Sequence, residues 1–414
     1  MFFIYSLLTH ITHFVLKFIA LFSPKMKLFI RGRKNVFTTL AQHISANDKT
    51  IWFHAASLGE YEQGLPIMEE IRALYPQHKI VLTFFSPSGY EVRKNTQSAD
   101  VVVYLPLDTL ANAKKFMQVV HPNMAFFIKY EFWPNYLNEL RKANVPTYLI
   151  SGLFRPNQVF FKWYGGFYRE ALKAFSHFFI QYDNSKQLLN KIGFTNVTIS
   201  GDTRYDRVSE ILERDNNLPF IEVFINGKTT VVLGSSWPKD ENLMFDFINS
   251  AIDVKFVIAP HTLGEDHLND IKKNIHRQTV LFTEKDGKNL AEYDVIIINT
   301  IGILGKIYSY ADVAYVGGGF GTAGLHNILE PAAFGVPIII GPNHQRFPEA
   351  VALVQMGGVV TVKDKTEMED ALSSLIYNDD YRWEKGHIAG TFVKMNRGAV
   401  NIIINHITNE SATV

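Results

Sequence analysis

The stretch IWFHAASLGEYEQGLPIMEEIRALYPQHKIVLTF, residues 51–84, decides the fold. Its two ends, Ile51–His54 and Ile80–Phe84, are short runs rich in β-branched and aromatic residues. Between them Leu65, Met68, Ile71 and Leu74 recur at helical spacing. Strand, helix and strand in so short a span make a βαβ unit with parallel strands. The strand runs are continuously apolar rather than alternating, the pattern of strands covered on both faces.

The same rhythm continues outward. Further strands are expected at Val101–Leu105, Ala125–Ile128, Thr147–Ile150, His177–Ile180 and Val197–Ser200. Residues 213–228 (ERDNNLPFIEVFINGK) break the pattern and read as a connection. A second series follows at Thr230–Gly234, Lys255–Ala259, Val295–Ile298, Val313–Val316 and Pro337–Ile340. The expectation is an α/β protein of two Rossmann-like domains, 35–212 and 229–378, preceded by a distinct segment 1–34. A helical stretch, 379–414, closes the chain. Ligands of such sheets sit at the carboxyl ends of strands, so the loops that follow strands are where chemistry is sought.

Composition narrows the classes. A chain of 414 residues, 47% hydrophobic and 20% charged, is globular and large enough for two cores. It contains no cysteine, which excludes disulfide scaffolds, thiolate metal sites and cysteine nucleophiles. No D-x-D triplet, H-x-x-x-H spacing or G-x-S-x-G elbow occurs, so no metal is expected. Six of the 41 basic residues (Lys17, Lys25, Lys27, Arg31, Arg33 and Lys34) precede residue 48, where no acid occurs; the rest of the chain is net negative. A basic head on a mildly acidic body suits an anionic membrane surface and not nucleic acid. Residues 1–22 are dominated by Phe, Ile, Leu and Val, and as one helix would reach ~33 Å, about a hydrocarbon thickness. Lys17 opposes spanning, so a helix lying in the membrane plane is the rival form. The cationic flank places the body on the cytoplasmic side.

Five motifs carry candidate chemistry. In H-A-A-S-L-G-E (54–60), Glu60 stands three residues after Ser57. That is a capping-box spacing, and equally a carboxylate general base at a strand's carboxyl end, with the helix N-terminus favouring its ionised form. Gly59 allows close approach of an acceptor to the backbone. In E-F-W-P-N (131–135), Glu131 is either a first-turn acid or a site residue; in G-D-T-R-Y-D (201–206), Arg204 either meets an anion or pairs with Asp206. Gly234, Ser235 and Ser236 follow a strand, where backbone N–H groups and hydroxyls suit a phosphate. The run V-G-G-G-F-G-T-A-G-L-H-N-I-L-E-P (316–331) is richer in glycine than a cap requires. It reads as a nucleotide-phosphate loop through Gly318 and Gly319, followed by His326, Asn327 and Glu330.

Taken in order, R-G-R-K (31–34), H-A-A-S-L-G-E, E-F-W-P-N, G-D-T-R-Y-D, the Gly-rich H-N-x-x-E segment and I-I-G-P-N (339–343) resemble the Kdo (3-deoxy-D-manno-octulosonic acid) transferases of lipopolysaccharide synthesis almost end to end. The resemblance implies the GT-B fold and inverting, metal-independent transfer of Kdo from CMP-Kdo to the lipid A precursor at the inner membrane. It implies Glu60 as base and Glu131 and Arg204 as transition-state stabilisers. CMP would be held by Pro260 and His261, by Ile301, Gly302 and Ile303, and by Asn327, Ile328, Leu329 and Glu330. The chain departs from the family pattern at Lys129, where an acid is common, and at Thr262, where an arginine is usual. Asn299 and Ile303 stand in place of an Asp and a Glu. Two alternatives stand beside this reading: a GT-B transferase or epimerase with a UDP-sugar donor, and a membrane-bound nucleotide-sugar-binding protein without catalysis.

Overall fold

The structure, a computed structural model, describes residues 2–322 and 324–412. The chain forms two compact units: one holds the residues up to Arg207 and those from Arg397 onward, the other Val208–Asn396. The division falls at 207/208 rather than in 213–228, which instead contains the helix Pro219–Ile225 with Ile221 and Phe224 buried. The closing stretch is also split. Helix Asp379–Met395 belongs to the second unit and helix Ala399–Ala412 to the first.

The first unit is built on seven parallel strands: β1 (Lys49–Ala55), β2 (His78–Phe84), β3 (Val101–Tyr104), β4 (Pro122–Ile128), β5 (Thr147–Gly152), β6 (His177–Ile180) and β7 (Val197–Ile199). Their order is β3-β2-β1-β4-β5-β6-β7. Ile51 of β1 lies opposite Ile80 of β2 and Met124 of β4. Successive side chains of β1 point to opposite faces. Trp52 packs with Phe116, Phe127 and Tyr136 on one side; Ile51 and Phe53 pack with Phe126, Ile403 and Ile407 on the other. Both faces are therefore covered, as the continuous apolar runs require. The sheet order reverses between β1 and β4, which makes their carboxyl ends the ligand-binding position of this topology.

The second unit repeats the plan with β8 (Thr229–Ser236), β9 (Val254–Pro260), β10 (Thr279–Leu281), β11 (Val295–Ile297), β12 (Val313–Val316), β13 (Ile338–Ile340) and β14 (Val359–Thr361), ordered β10-β11-β9-β8-β12-β13-β14. Val231 and Leu233 enter one core and Val232 the other. The reversal lies between β8 and β12. The edge strands β10 and β14, three residues each, were not foreseen.

The N-terminal segment is shorter than one 22-residue helix. Helix α1 runs Phe2–Ile19, a turn follows, and α2 runs Pro24–Arg31, its first turn capped by the Ser23 hydroxyl. No helix among the described residues is long and apolar enough to cross a membrane. Arg33, counted above with the basic head, is not a surface charge. Its guanidinium donates to the carbonyls of Leu105, Phe29 and Phe85 and lies 3.6 Å from the Phe29 ring centroid; burial lowers its pKa to about 9.

Candidate active site

At the end of β1 the chain turns at Ser57 into the helix Leu58–Leu74, and Glu60 lies in its first turn. Glu60 Oε2 accepts from the Ser57 N–H at 2.9 Å and from the Ser57 hydroxyl at 3.2 Å. The capping contact foreseen in the sequence is thus made, and by one oxygen alone. Oε1 has no hydrogen-bond partner among the described residues. Capping and proton acceptance do not compete for the same atom. The pKa of Glu60 is raised: burial is the largest cause and the Glu131 charge the second, outweighing His54, Lys129 and the Ser57 bond. This reverses the expectation that the helix terminus would favour the ionised form. A carboxylate held upward is the better proton acceptor once ionised.

Glu131 follows β4 and is buried. Its Oε2 accepts from the Trp133 indole at 2.8 Å and meets His54 Nε2 at 2.9 Å, while Oε1 has no such partner among the described residues. His54, fully buried on β1, has its Nδ1 2.8 Å from the Thr83 hydroxyl, which accepts from the Trp52 indole. An ionised Glu131 can only accept, which places a hydrogen on Nε2, while Nδ1 faces both the hydroxyl and the carbonyl of Thr83, at 2.8 and 3.1 Å. Three neighbouring strands thus fix this carboxylate, and the approach of the two glutamates follows from β1 and β4 being adjacent.

Arg204 does not pair with Asp206. Its Nε and Nη2 both reach Asp202 Oδ2, at 2.9 and 2.8 Å, and Asp202 also accepts from Gln63 at 2.9 Å. Gln63 lies one turn after Glu60 on the same helix, so the loop after β7 is tied to the glutamate's own scaffold. Burial pushes the Asp202 carboxyl up, but Arg204 and Gln63 more than offset it and hold it low. Asp206 instead accepts from the N–H groups of Gly398 and Val400, at the start of helix Ala399–Ala412. Tyr130 marks the common ground of these groups. Burial raises its pKa, and it also feels the charges of Arg155, Glu60, Arg204 and Asp202. Lys129, at φ +68, and Arg155 approach its ring to 5.2 and 5.5 Å. The structure therefore brings together all three proposed catalytic residues and adds His54, Lys129, Tyr130 and Arg155. Gly59 is exposed, and a Cβ there would meet nothing within 4 Å, so packing does not explain that glycine.

In the second unit, the loops after β8, β9 and β12 meet through rings. Trp237 stacks on His261 at 4.4 Å between centroids, and His261 lies 4.5 Å from His326. The Trp237 indole donates to His326 Nε2 at 3.2 Å. Burial, then His261, lowers the His326 pKa to about 4, so its ring is neutral and Nδ1 carries the hydrogen. Several expected phosphate contacts are spent inside the fold. The Ser236 hydroxyl donates to buried Glu241 at 2.7 Å, and the Gly318 N–H donates to Asp240 at 3.1 Å. Ser235 is left-handed at φ +52. A Cβ on Gly234 would strike the Tyr308 hydroxyl at 1.8 Å, and one on Gly319 the Gly341 backbone at 2.6 Å. Close passage of chain past chain thus accounts for these glycines. The side chains of Pro260, Ile328 and Leu329 are buried, whereas His261, Ile301, Gly302 and Asn327 are exposed. Asn327 donates to Glu330 at 3.1 Å and accepts from the Leu329 N–H. Glu330 lies 3.6 Å from where a Cβ on Gly305 would stand, which brings the segment after Ile303 beside it. Among the described residues, no group of three or more acidic or histidine side chains could hold a metal ion.

The 3-deoxy-D-manno-octulosonic-acid transferase (Kdo transferase) family model matches residues 31–207, the span that carries Glu60, Glu131 and Arg204. The 3-deoxy-D-manno-octulosonic acid transferase of Rickettsia bellii is 26% identical, covering 96% of both chains. That of Haemophilus influenzae is 25% identical over 98% of this chain and 97% of its own. The chain is thus similar to Kdo transferases along almost its whole length. It has the GT-B fold: the UDP-GlcNAc 2-epimerase of Neisseria meningitidis superposes with a TM-score of 0.62 at 15% identity, covering 87% of this chain and all of the other. Of the residues sequence reasoning missed, Tyr130, Arg155 and Trp237 have no signal of their own, and only neighbouring charges or ring stacking reveal them; His54 opens the H-A-A-S-L-G-E motif without being singled out there. His54 alone had a signal, as the polar residue in the apolar run of β1.

Proposed function

We propose that the chain transfers Kdo from CMP-Kdo to a hydroxyl of the phosphorylated glucosamine disaccharide that is the lipid A precursor, with inversion and without a metal. The supporting observation is Glu60: half-buried, its pKa raised, one oxygen engaged in capping and the other without a partner among the described residues. In the proposed step Glu60 takes the proton of the acceptor hydroxyl as that oxygen bonds to the anomeric carbon of Kdo. The bond from that carbon to the CMP phosphate oxygen breaks, and CMP leaves with the electron pair. Positioned proton transfer of this kind contributes ~10²–10⁴-fold. Glu131, held by His54 and Trp133, stabilises positive charge developing at the anomeric centre, and Arg204, Lys129 and Arg155 attract the anionic groups of the substrates. A donor with a single phosphate needs less charge neutralisation than a diphosphate, consistent with the absence of D-x-D. CMP rests on the second unit at His261, His326, Asn327 and Glu330. The anionic lipid acceptor also supports attachment of α1 and the exposed Lys25, Lys27, Arg31 and Lys34 to the cytoplasmic face of the inner membrane.

The test is incubation of the purified chain with CMP-Kdo and the lipid acceptor, followed by mass spectrometry of the lipid and measurement of CMP. A lipid heavier by one or more Kdo units, with matching CMP release and inhibition by CMP but not UDP, is expected. Competition by UDP alone would transfer the assignment to a UDP-sugar enzyme. CMP binding without release would leave a binding protein.

A further inference from the structure

Helix α1 carries two unlike faces. Tyr5, Ser6, Thr9, Leu16 and Ala20 are half-buried, facing the first unit, whereas Ile4, Leu7, Ile11, Phe14 and Phe18 form an exposed stripe at alternating three- and four-residue steps. The body-facing side is latched near its beginning: the Tyr5 hydroxyl donates to Asp108 at 2.6 Å, and its ring packs 5.4 Å from Phe167 and 6.3 Å from Tyr168. Asp108 is part of the fold, accepting also from the N–H groups of Asn135 and Tyr136 just after the Glu131 loop.

The latch decides between the two forms of membrane attachment. Tyr5 and Ala20 are ~22 Å apart along a helix axis. In a spanning helix with the body attached after Ala20, Tyr5 would stand most of a hydrocarbon thickness from that body and could not reach Asp108. With Tyr5 on Asp108, α1 lies along the unit and its stripe can enter one leaflet only.

A second apolar feature adjoins the latch. Trp163, 92% exposed, and Tyr164 sit edge to face at 5.5 Å in the turn leading to Phe167 and Tyr168. The turn is built: Arg169 donates to the carbonyls of Phe160 and Lys162 at 2.9 Å, and a Cβ on Gly165 would strike the Val159 carbonyl at 1.9 Å. Exposed Trp and Tyr suit the boundary between headgroups and acyl chains. The occupant is indicated by charge: Lys17, Lys25, Lys27, Arg31 and Lys34 are exposed around the stripe, and no acid occurs before residue 48.

We infer that α1 lies flat in one leaflet of an anionic bilayer, its N-terminus on the same side as the catalytic body, with the Trp163–Tyr164 turn as a second lipid contact. This rests on the membrane attachment proposed above. The chain has no cysteine, so one added ahead of Met1 reports sidedness cleanly. In inverted inner-membrane vesicles, whose cytoplasmic face is outward, a membrane-impermeant maleimide is expected to label it; labelling only in right-side-out vesicles overturns the flat arrangement while leaving attachment intact. The double variant W163A/Y164A is expected to bind phosphatidylglycerol-containing vesicles roughly tenfold more weakly, with unchanged thermal unfolding. Unchanged partitioning removes the turn from the surface. A chain that binds no vesicle and instead dimerises in sedimentation, reverting to monomer in F14S/F18S, overturns attachment itself and assigns the stripe to a second copy.

Discussion

Glu60 caps its helix through one oxygen and, in the proposed step, takes a proton on the other, and a pair of substitutions separates the two roles. Glu60→Gln keeps a side-chain carbonyl that can accept from the Ser57 N–H, so the cap survives while the base is lost. Glu60→Ala removes both. The cap consists of the 2.9 Å bond from the Ser57 N–H and the 3.2 Å bond from its hydroxyl. At ~0.5–1.5 kcal/mol net for each such bond, the alanine variant should lose ~1–3 kcal/mol. For a unit of about 200 residues that lowers its melting temperature by roughly 2–12 °C. The glutamine variant should hold or exceed the wild-type temperature at neutral pH. A carboxyl with a raised folded pKa contributes stability that is complete below its unfolded pKa and is lost as pH rises through the folded one. A neutral amide never incurs that loss, so the difference should vanish at acid pH. Both variants should lose the same factor in transfer, ~10²–10⁴. Calorimetry across pH and a CMP-release assay read the two effects separately. Near-normal turnover in Glu60→Gln would refute the assignment of the base, and equal melting losses in both variants would refute the division of labour between the oxygens.

Because the Glu131 charge helps raise the Glu60 pKa, Glu131→Gln should shift the acid limb of the kcat/KM–pH profile to lower pH in its residual activity; a limb that stays put means the two carboxyls do not sense one another during turnover. Gly59→Ala meets no neighbour within 4 Å and should leave melting unchanged or slightly raised while slowing transfer. Gly319→Ala meets backbone at 2.6 Å and should cost the second unit ~1–3 kcal/mol in denaturant unfolding; equal behaviour of the two variants would contradict their different surroundings. Burial, then a neighbouring histidine, lowers the pKa of His177 and of His326 to about 4 from 6.5. The unfolded chain therefore takes up those protons first, and stability should fall as pH drops from 6.5 towards 4 rather than above that window. His326→Asn should flatten the decline for the second unit in calorimetry, and an unchanged slope would show that His326 is not a source of it.

Most strands were legible because their residues are buried on both faces and read as unbroken apolar runs. His177–Ile180 and Val313–Val316 match the structure to the residue. β10 and β14 were not foreseen. Motifs placed Glu60, Glu131 and Arg204, but a motif gives residue type and not partner. Whether Arg204 pairs with Asp202 or Asp206 depends on Gln63, 141 positions earlier in the chain. Arg33 looks like its cationic neighbours in sequence and differs only in being enclosed by Phe29, Phe85 and Tyr104. The Gly-rich run is ambiguous for a related reason: a glycine that admits a ligand and one that admits another segment of chain are the same letter.

The chain leaves the first unit at Arg207 and returns to it at Arg397. The returning helix supplies Ile403 and Ile407 to the core beneath β1 and β4, and Glu410 to the Tyr148 hydroxyl at 2.9 Å. During synthesis the second unit is therefore complete before the first. A nascent chain that has emerged as far as Asn396 holds the entire second unit while the sheet bearing Glu60 and Glu131 still lacks part of its cover. Domains fold as units as they emerge, so the residues from Arg397 onward set when the first unit can be completed. A stop codon shortly before residue 399 should yield a protein that retains a folded second unit and never assembles its carboxylate centre.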